Sequence, residues 1–143
     1  MKLLDASLLL HAYDPDFQRH QQSRSWLEKT FSDLEKVGLA WVTILAFLRI
    51  STNPRAFRRP FSVEEASRIV SEWLGQPNAI VLEPGRRHWE ILSGILSTAQ
   101  ARGDLVTDAH LASLAIEHGA VLCTDDRDFA RFPGLKTLDP LEG

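Results

Sequence analysis

The chain has 143 residues, 44% of them hydrophobic, with 16 Lys and Arg against 19 Asp and Glu for a net charge of −3. That length suits one domain spanning residues 1–143, able to bury roughly two thirds of its unfolded surface, and no apolar run approaches the roughly 20 residues of a membrane span. The acidic balance argues against a broad DNA-coating surface, while an acid at position 5 and the single Cys123 argue against a signal peptide and an intrachain disulfide, so a cytoplasmic location is expected.

Met1–Leu4 reads as a first strand running into Asp5, and Ser7–Ala12 as a short helix. After Asp16, Trp26, Leu27, Thr30, Phe31 and Leu34 recur at helical spacing, with Gly38 as the stop. Leu39–Val42 is a candidate second strand, and Thr43–Ile50 is helix until Asn53-Pro54. Ser62-Val63-Glu64-Glu65 forms a capping box that opens a helix to Gly75. Ala79–Leu82 is a strand, Arg87–Ala101 a helix bounded by Gly103, and Asp108–His118 a helix ended by Gly119. Ala120–Cys123 is the last core strand, with Lys136–Leu138 as an edge strand. Strands alternating with helices of this length predict a three-layer α/β/α domain with a mostly parallel central sheet and right-handed crossovers.

In such open sheets, ligands bind beyond the carboxyl ends of the strands. Asp5 follows the first strand, Asp125, Asp126 and Asp128 follow the last, and Asp108 opens the helix before it. Taken singly, most of these acids have a structural explanation. A carboxylate at a helix start offsets the helix dipole by roughly 0.3–1 kcal/mol, and residues 125–128 can be a polar turn. Asp5 is different, because Leu3-Leu4 precede it and Leu8-Leu9-Leu10 follow it. A partly buried carboxylate needs a partner or a cation. Several gathered carboxylates raise one another's pKa, and a divalent ion relieves that repulsion; oxygen-only ligands suit Mg2+ or Mn2+ rather than zinc.

Leu-Leu-Asp-Ala-Ser at 3–7, Val-Thr-Asp-Ala-His-Leu-Ala at 106–112 and Thr-Asp-Asp-Arg-Asp-Phe at 124–129 together resemble the PIN domain. Residues 41–55, Trp-Val-Thr-Ile-Leu-Ala-Phe-Leu-Arg-Ile-Ser-Thr-Asn-Pro-Arg, and residues 128–135, Asp-Phe-Ala-Arg-Phe-Pro-Gly-Leu, resemble bacterial VapC-type toxins. The resemblance spans essentially the whole chain. It implies an Mg2+- or Mn2+-dependent RNA endonuclease, a homodimer, and a cognate antitoxin that blocks the site. Carried over by position, Asp5 and Asp108 match the main metal ligands, Asp126 the acid after the last core strand, and Asp128 the second acid of that turn. Ser7 and Thr124 match hydroxyl positions that orient the carboxylates. One departure stands out: many PIN domains carry a glutamate about three residues before an arginine like Arg49, and this chain has Ala46, with no acid anywhere from Lys36 to Val63. The ion is then held by fewer carboxylates, or by a recruited one such as Asp104 or Asp125.

Arg55, Arg58 and Arg59, interleaved with Phe57 and Phe61, read either as a solvated turn or as an RNA-contacting lip on which Phe57 stacks a base. Arg86, Arg87 and His88 can extend that lip, with Trp89 expected in the core. Trp26, Trp41 and Trp73 read as core or interface, Cys123 as core, and the five histidines show no zinc-like pair. Two alternatives to the nuclease follow from the residues: a catalytically inactive module that only binds RNA or an antitoxin, favoured by Ala46, and a phosphoryl-transfer protein, disfavoured because Asp5-Ala6-Ser7 lacks a second acid.

Overall fold

The computed structural model describes residues 1–142. Five short strands form one sheet: β1 (Lys2–Leu4), β2 (Val37–Leu39), β3 (Ala79–Val81), β4 (Val121–Cys123) and β5 (Thr137–Leu138). Their order is β3-β2-β1-β4-β5, and every pairing is parallel. Six α-helices accompany them: α1 (Ala6–Tyr13), α2 (His20–Ser32), α3 (Trp41–Ser51), α4 (Val63–Leu74), α5 (His88–Ala99) and α6 (Leu105–His118).

Alternation along the central strands divides the interior into two cores. Leu4 of β1 and Cys123 of β4, paired in register, face a cluster with Leu8, Leu9, Leu27, Phe47 and Trp73. Leu3 and Leu122, paired one step earlier, face the opposite cluster with Leu82, Ile95, Leu111, Leu114 and Phe129. Neighbouring residues on a strand point to opposite faces, so this arrangement is the expected three-layer α/β/α sandwich.

The chain winds from β1 outward through β2 to β3, then returns to the other side of β1 for β4 and β5. Strand order therefore reverses between β1 and β4, and a crevice opens beyond the carboxyl ends of those two strands. Asp5 and Thr124 are the first residues past them.

Several boundaries differ from the sequence expectation. Helix α2 ends at Ser32 with Asp33 as its C-cap, and Leu34 is 96% exposed rather than part of the apolar face. Gly38 is no helix stop; it is the middle of β2, paired with Leu3 and Ile80. A Cβ there would come within 2.7 Å of Leu82 Cδ1, so close packing rather than turn geometry selects glycine. Trp41 and Val42 belong to α3 and not to the second strand, which leaves Trp41 50% exposed and outside the core. Trp89 is 69% exposed, so it does not anchor α5 in the core. Helix α5 ends before Gly103, at Gln100 in the left-handed conformation, and α6 begins at Leu105, one turn earlier than expected.

Candidate active site

Helix α1 starts immediately after β1, so Asp5 stands at the helix N-terminus with its backbone still extended. Its Oδ1 accepts the amide of Ala6 at 2.8 Å. Its Oδ2 accepts two hydroxyls, Thr124 Oγ1 at 2.6 Å and Ser7 Oγ at 3.2 Å. Burial pushes the Asp5 carboxyl above its usual range; the three hydrogen bonds pull it back and Asp126 pushes it up again.

Asp108 lies in the first turn of α6, half-buried. Burial first, and then the charges of Asp126, Asp5, Asp128 and Asp104, raise its pKa to about 6. All four of those neighbouring charges are carboxylates. Asp5 and Asp108 line one cleft of about 690 Å³, walled by β1–α1, α3 and α6. Asp104 and Thr107 line it too, and α3 contributes Val42, Leu45, Ala46 and Arg49. That spacing is one helical face.

The other predicted acids sit differently. Asp126 is exposed at the rim, where its amide donates to Thr124 Oγ1 and its Oδ1 caps the amide of Asp128. It lines a neighbouring cavity of about 490 Å³ rather than the cleft. Asp128 is exposed and its Oδ1 stands 3.4 Å from Arg131 Nη2. Thus Asp5 and Asp108 share the cleft, while Asp126 and Asp128 reach them through their charge.

Asp125 is already paired with His11 and lines the neighbouring cavity rather than the cleft. His11 Nε2 stands 3.0 Å from its Oδ2, and that bond chiefly holds the Asp125 carboxyl below its usual range. The ring of His11 stacks on Phe17 with centroids 3.6 Å apart. Sequence reading missed this pair because its members are 114 positions apart and nothing in the sequence around His11 points to Asp125. Asp104, in contrast, does line the cleft. Ala46 lines the cleft at the position the family resemblance gives to a glutamate; what sequence reading missed is that Arg49 lines it too, although its spacing from Ala46 along α3 carried the signal.

The basic loop separates into two kinds of residue. Arg55, Arg58 and Arg59 are exposed, as an RNA-contacting lip needs. Phe57 is 5% exposed and packs with Phe61, so it is a loop anchor and cannot stack a base.

Among the described residues, no three His, Cys, Asp or Glu side chains group closely enough to hold an ion among themselves. The donor chemistry nevertheless fits a hard divalent ion, because the cleft pairs oxygen-only carboxylates that raise one another's pKa. Mg2+ usually takes one or two protein carboxylates and completes its shell with waters and phosphate oxygens, so a two-carboxylate cleft suffices.

The profile of the PIN domain matches residues 2–135. The chain belongs to the PIN-domain family. Its relatives in that family include ribonuclease VapC37 of Mycobacterium tuberculosis, 41% identical over 98% of this chain and 97% of that protein. Ribonuclease VapC33 of the same organism is 38% identical over 99% of both chains. This PIN domain also shares its fold with VapBC-1 of nontypeable Haemophilus influenzae, at a TM-score of 0.72 and 16% identity over 99% of this chain and 98% of that one. VapC20 of M. tuberculosis, described as a sarcin-ricin loop cleaving toxin, aligns at a TM-score of 0.67 and 14% identity over 95% and 99% of the two chains.

Proposed function

We propose that this PIN domain is a VapC-type endoribonuclease toxin that hydrolyses RNA phosphodiester bonds with Mg2+ or Mn2+ and is neutralised by a cognate antitoxin. The observation that carries the reading is the shared cleft of Asp5 and Asp108, with the Asp108 carboxyl raised to about 6 by burial and then by the neighbouring carboxylates. Full-length likeness to proteins named as VapC ribonucleases supports the activity. Solved neighbours that are VapBC complexes support the antitoxin. The homodimer and the cytoplasmic location rest on the family resemblance; no helix of the described residues is long and apolar enough to cross a membrane.

A divalent ion held by Asp5 and Asp108 would supply Lewis-acid activation of the scissile phosphodiester and of the attacking water. The chain's own part is positioning. Thr124 and Ser7 hold Asp5 Oδ2 from two sides, and Ala6 fixes Oδ1, so the carboxylate is oriented before any ligand arrives. Thr124 also accepts the Asp126 amide, which ties the acidic turn to the same hydroxyl. Asp126 and Asp128 add negative potential at the rim, favouring a cation near Asp108.

The test is cleavage of RNA by purified protein with Mn2+ and with EDTA. Activity should need the ion, and Asp5→Asn and Asp108→Asn should each abolish it while the fold persists. Wild-type rates from either variant, or cleavage indifferent to EDTA, would sink the assignment. A second reading, a module that binds RNA or antitoxin without cutting, is favoured by Ala46 in the cleft wall. It predicts RNA binding with no cleavage under any divalent ion.

A further inference from the structure

The cleft that holds the acids must also admit a polyanion. Its wall includes Asp5, Asp104 and Asp108, whose summed charge repels a phosphodiester until a cation intervenes. Of all the residues lining the cleft, one carries positive charge, Arg49. It projects from the last turn of α3 on the same helical face as Val42, Leu45 and Ala46, and lines the same cleft as Asp108 of α6. Its guanidinium forms no ion pair and no side-chain hydrogen bond with any described residue. The nearest position along that face able to hold an acid is Ala46, which cannot engage it.

We propose that Arg49 is the phosphate-binding residue of this cleft, gripping the RNA backbone beside the scissile bond; this rests on the nuclease reading above. A planar guanidinium offers paired N–H donors that match two phosphate oxygens, a fit that lysine's point charge does not reproduce. The alternative role for Arg49 is structural: a cation in the final turn offsets the dipole at the carboxyl end of α3. Arg55, Arg58 and Arg59 lie past that helix end and outside the cleft lining, so they act on the strand at a distance from the acids. Ala46 gives the arrangement its logic. A glutamate there would stand one turn from Arg49 and compete with phosphate for the guanidinium; with alanine the guanidinium is left for the substrate.

The experiment compares wild type, Arg49→Ala, Arg49→Lys and, as a control away from the cleft, Arg68→Ala. Binding of a randomised single-stranded RNA is followed by fluorescence anisotropy with Ca2+ replacing Mn2+, across a salt series. Cleavage is followed separately with Mn2+. Arg49→Ala should weaken binding about tenfold and reduce the slope of log affinity against log salt by about 0.7. Arg49→Lys should keep the slope but lose most of the turnover, because charge remains and the fork does not. Arg68→Ala should match wild type. A purely structural Arg49 would lower the melting temperature of Arg49→Ala and leave the salt slope unchanged, which would overturn the proposal. RNA binding by wild type without cleavage would remove the nuclease reading while the slope still judged Arg49, and no binding by wild type would overturn both.

Discussion

Thr124 donates its hydroxyl to Asp5 Oδ2 over 2.6 Å, joining the ends of β4 and β1 across 119 positions of sequence. The hydroxyl oxygen of Thr124 in turn accepts the Asp126 amide at 3.0 Å. Thr124 is buried, so neither bond is exchanged readily with water. One side chain thus couples the cleft carboxylate to the acidic turn at the point where strand order reverses.

Replacing Thr124 by Val keeps the shape but leaves Asp5 and the Asp126 amide each short of a partner. We expect a loss of about 1–3 kcal/mol of stability, the usual cost of stranding a buried polar group. Thr124→Ser should stay near wild type. Urea midpoints for the three proteins check this, and a Val variant as stable as wild type would mean that the turn simply rehydrates.

Stability without divalent ions should depend on pH through Asp108. Its usual pKa is 3.8 and its folded value is about 6, so between these the folded chain holds a proton that the unfolded chain has released. Stability from this group therefore falls as pH rises from about 4 to about 6 and is flat beyond. Asp5, also raised, has the same sign. Asp125 is lowered and works in the opposite sense at more acidic pH, so the comparison needs Asp108→Asn as reference. In EDTA that variant should be more stable than wild type near neutral pH, with the gap closing below about pH 4. A gap that does not change with pH would show that Asp108 is not under the strain described.

Much of this was legible in the sequence, and the reasons differ by element. The strand-helix alternation, the acids at strand ends and the final edge strand all follow from short apolar runs that end in polar residues. The three-residue strands made boundaries harder to place. Leu39–Val42 and β2 overlap at a single residue, because an apolar run that crosses from strand into helix has no internal marker. Gly38 misled for a related reason: glycine is selected at helix ends by backbone conformation and in β2 by the 2.7 Å approach to Leu82, and the letter alone does not distinguish them. Within the site, Asp5 was readable from its apolar neighbours, and Asp108 from its place at the start of the helix before the last core strand, while their roles as ligands came from the resemblance. The compensation of Asp125 by His11 depends on tertiary placement and had no local signal.

The buried Phe57 separates two roles for the loop from Arg55 to Phe61. Phe57→Ala should destabilise the protein by about 3–5 kcal/mol, the range for deleting a core aromatic ring. Replacing Arg55, Arg58 and Arg59 together by Ala should leave stability within about 0.5 kcal/mol while weakening RNA binding and flattening its salt dependence. Thermal melts and anisotropy titrations on both variants settle the division. An unchanged salt slope in the triple variant would reduce the arginines to a solvated turn.

The decisive substitution for the acidic cleft is Ala46→Glu. Ala46 lines the cleft with Asp5 and Asp108, on the helical face that also carries Arg49. A carboxylate there has two effects of opposite sign. With Mn2+ present it adds a ligand oxygen and a negative charge, so the ion should bind more tightly and cleavage should need less of it. Without the ion it joins the group of acids that already raises Asp108, so repulsion should grow and the melting temperature should fall. Pairing with Arg49 would soften that fall, and Ala46→Glu with Arg49→Ala should restore it in full. Calorimetric Mn2+ affinity and melting temperature in EDTA, on the single and double variants, give the two signs independently. Tighter Mn2+ binding together with a lower metal-free melting temperature is the expected result. If Ala46→Glu moves neither quantity, position 46 does not face the ion, and the match of residues 41–55 to the family's pattern fails.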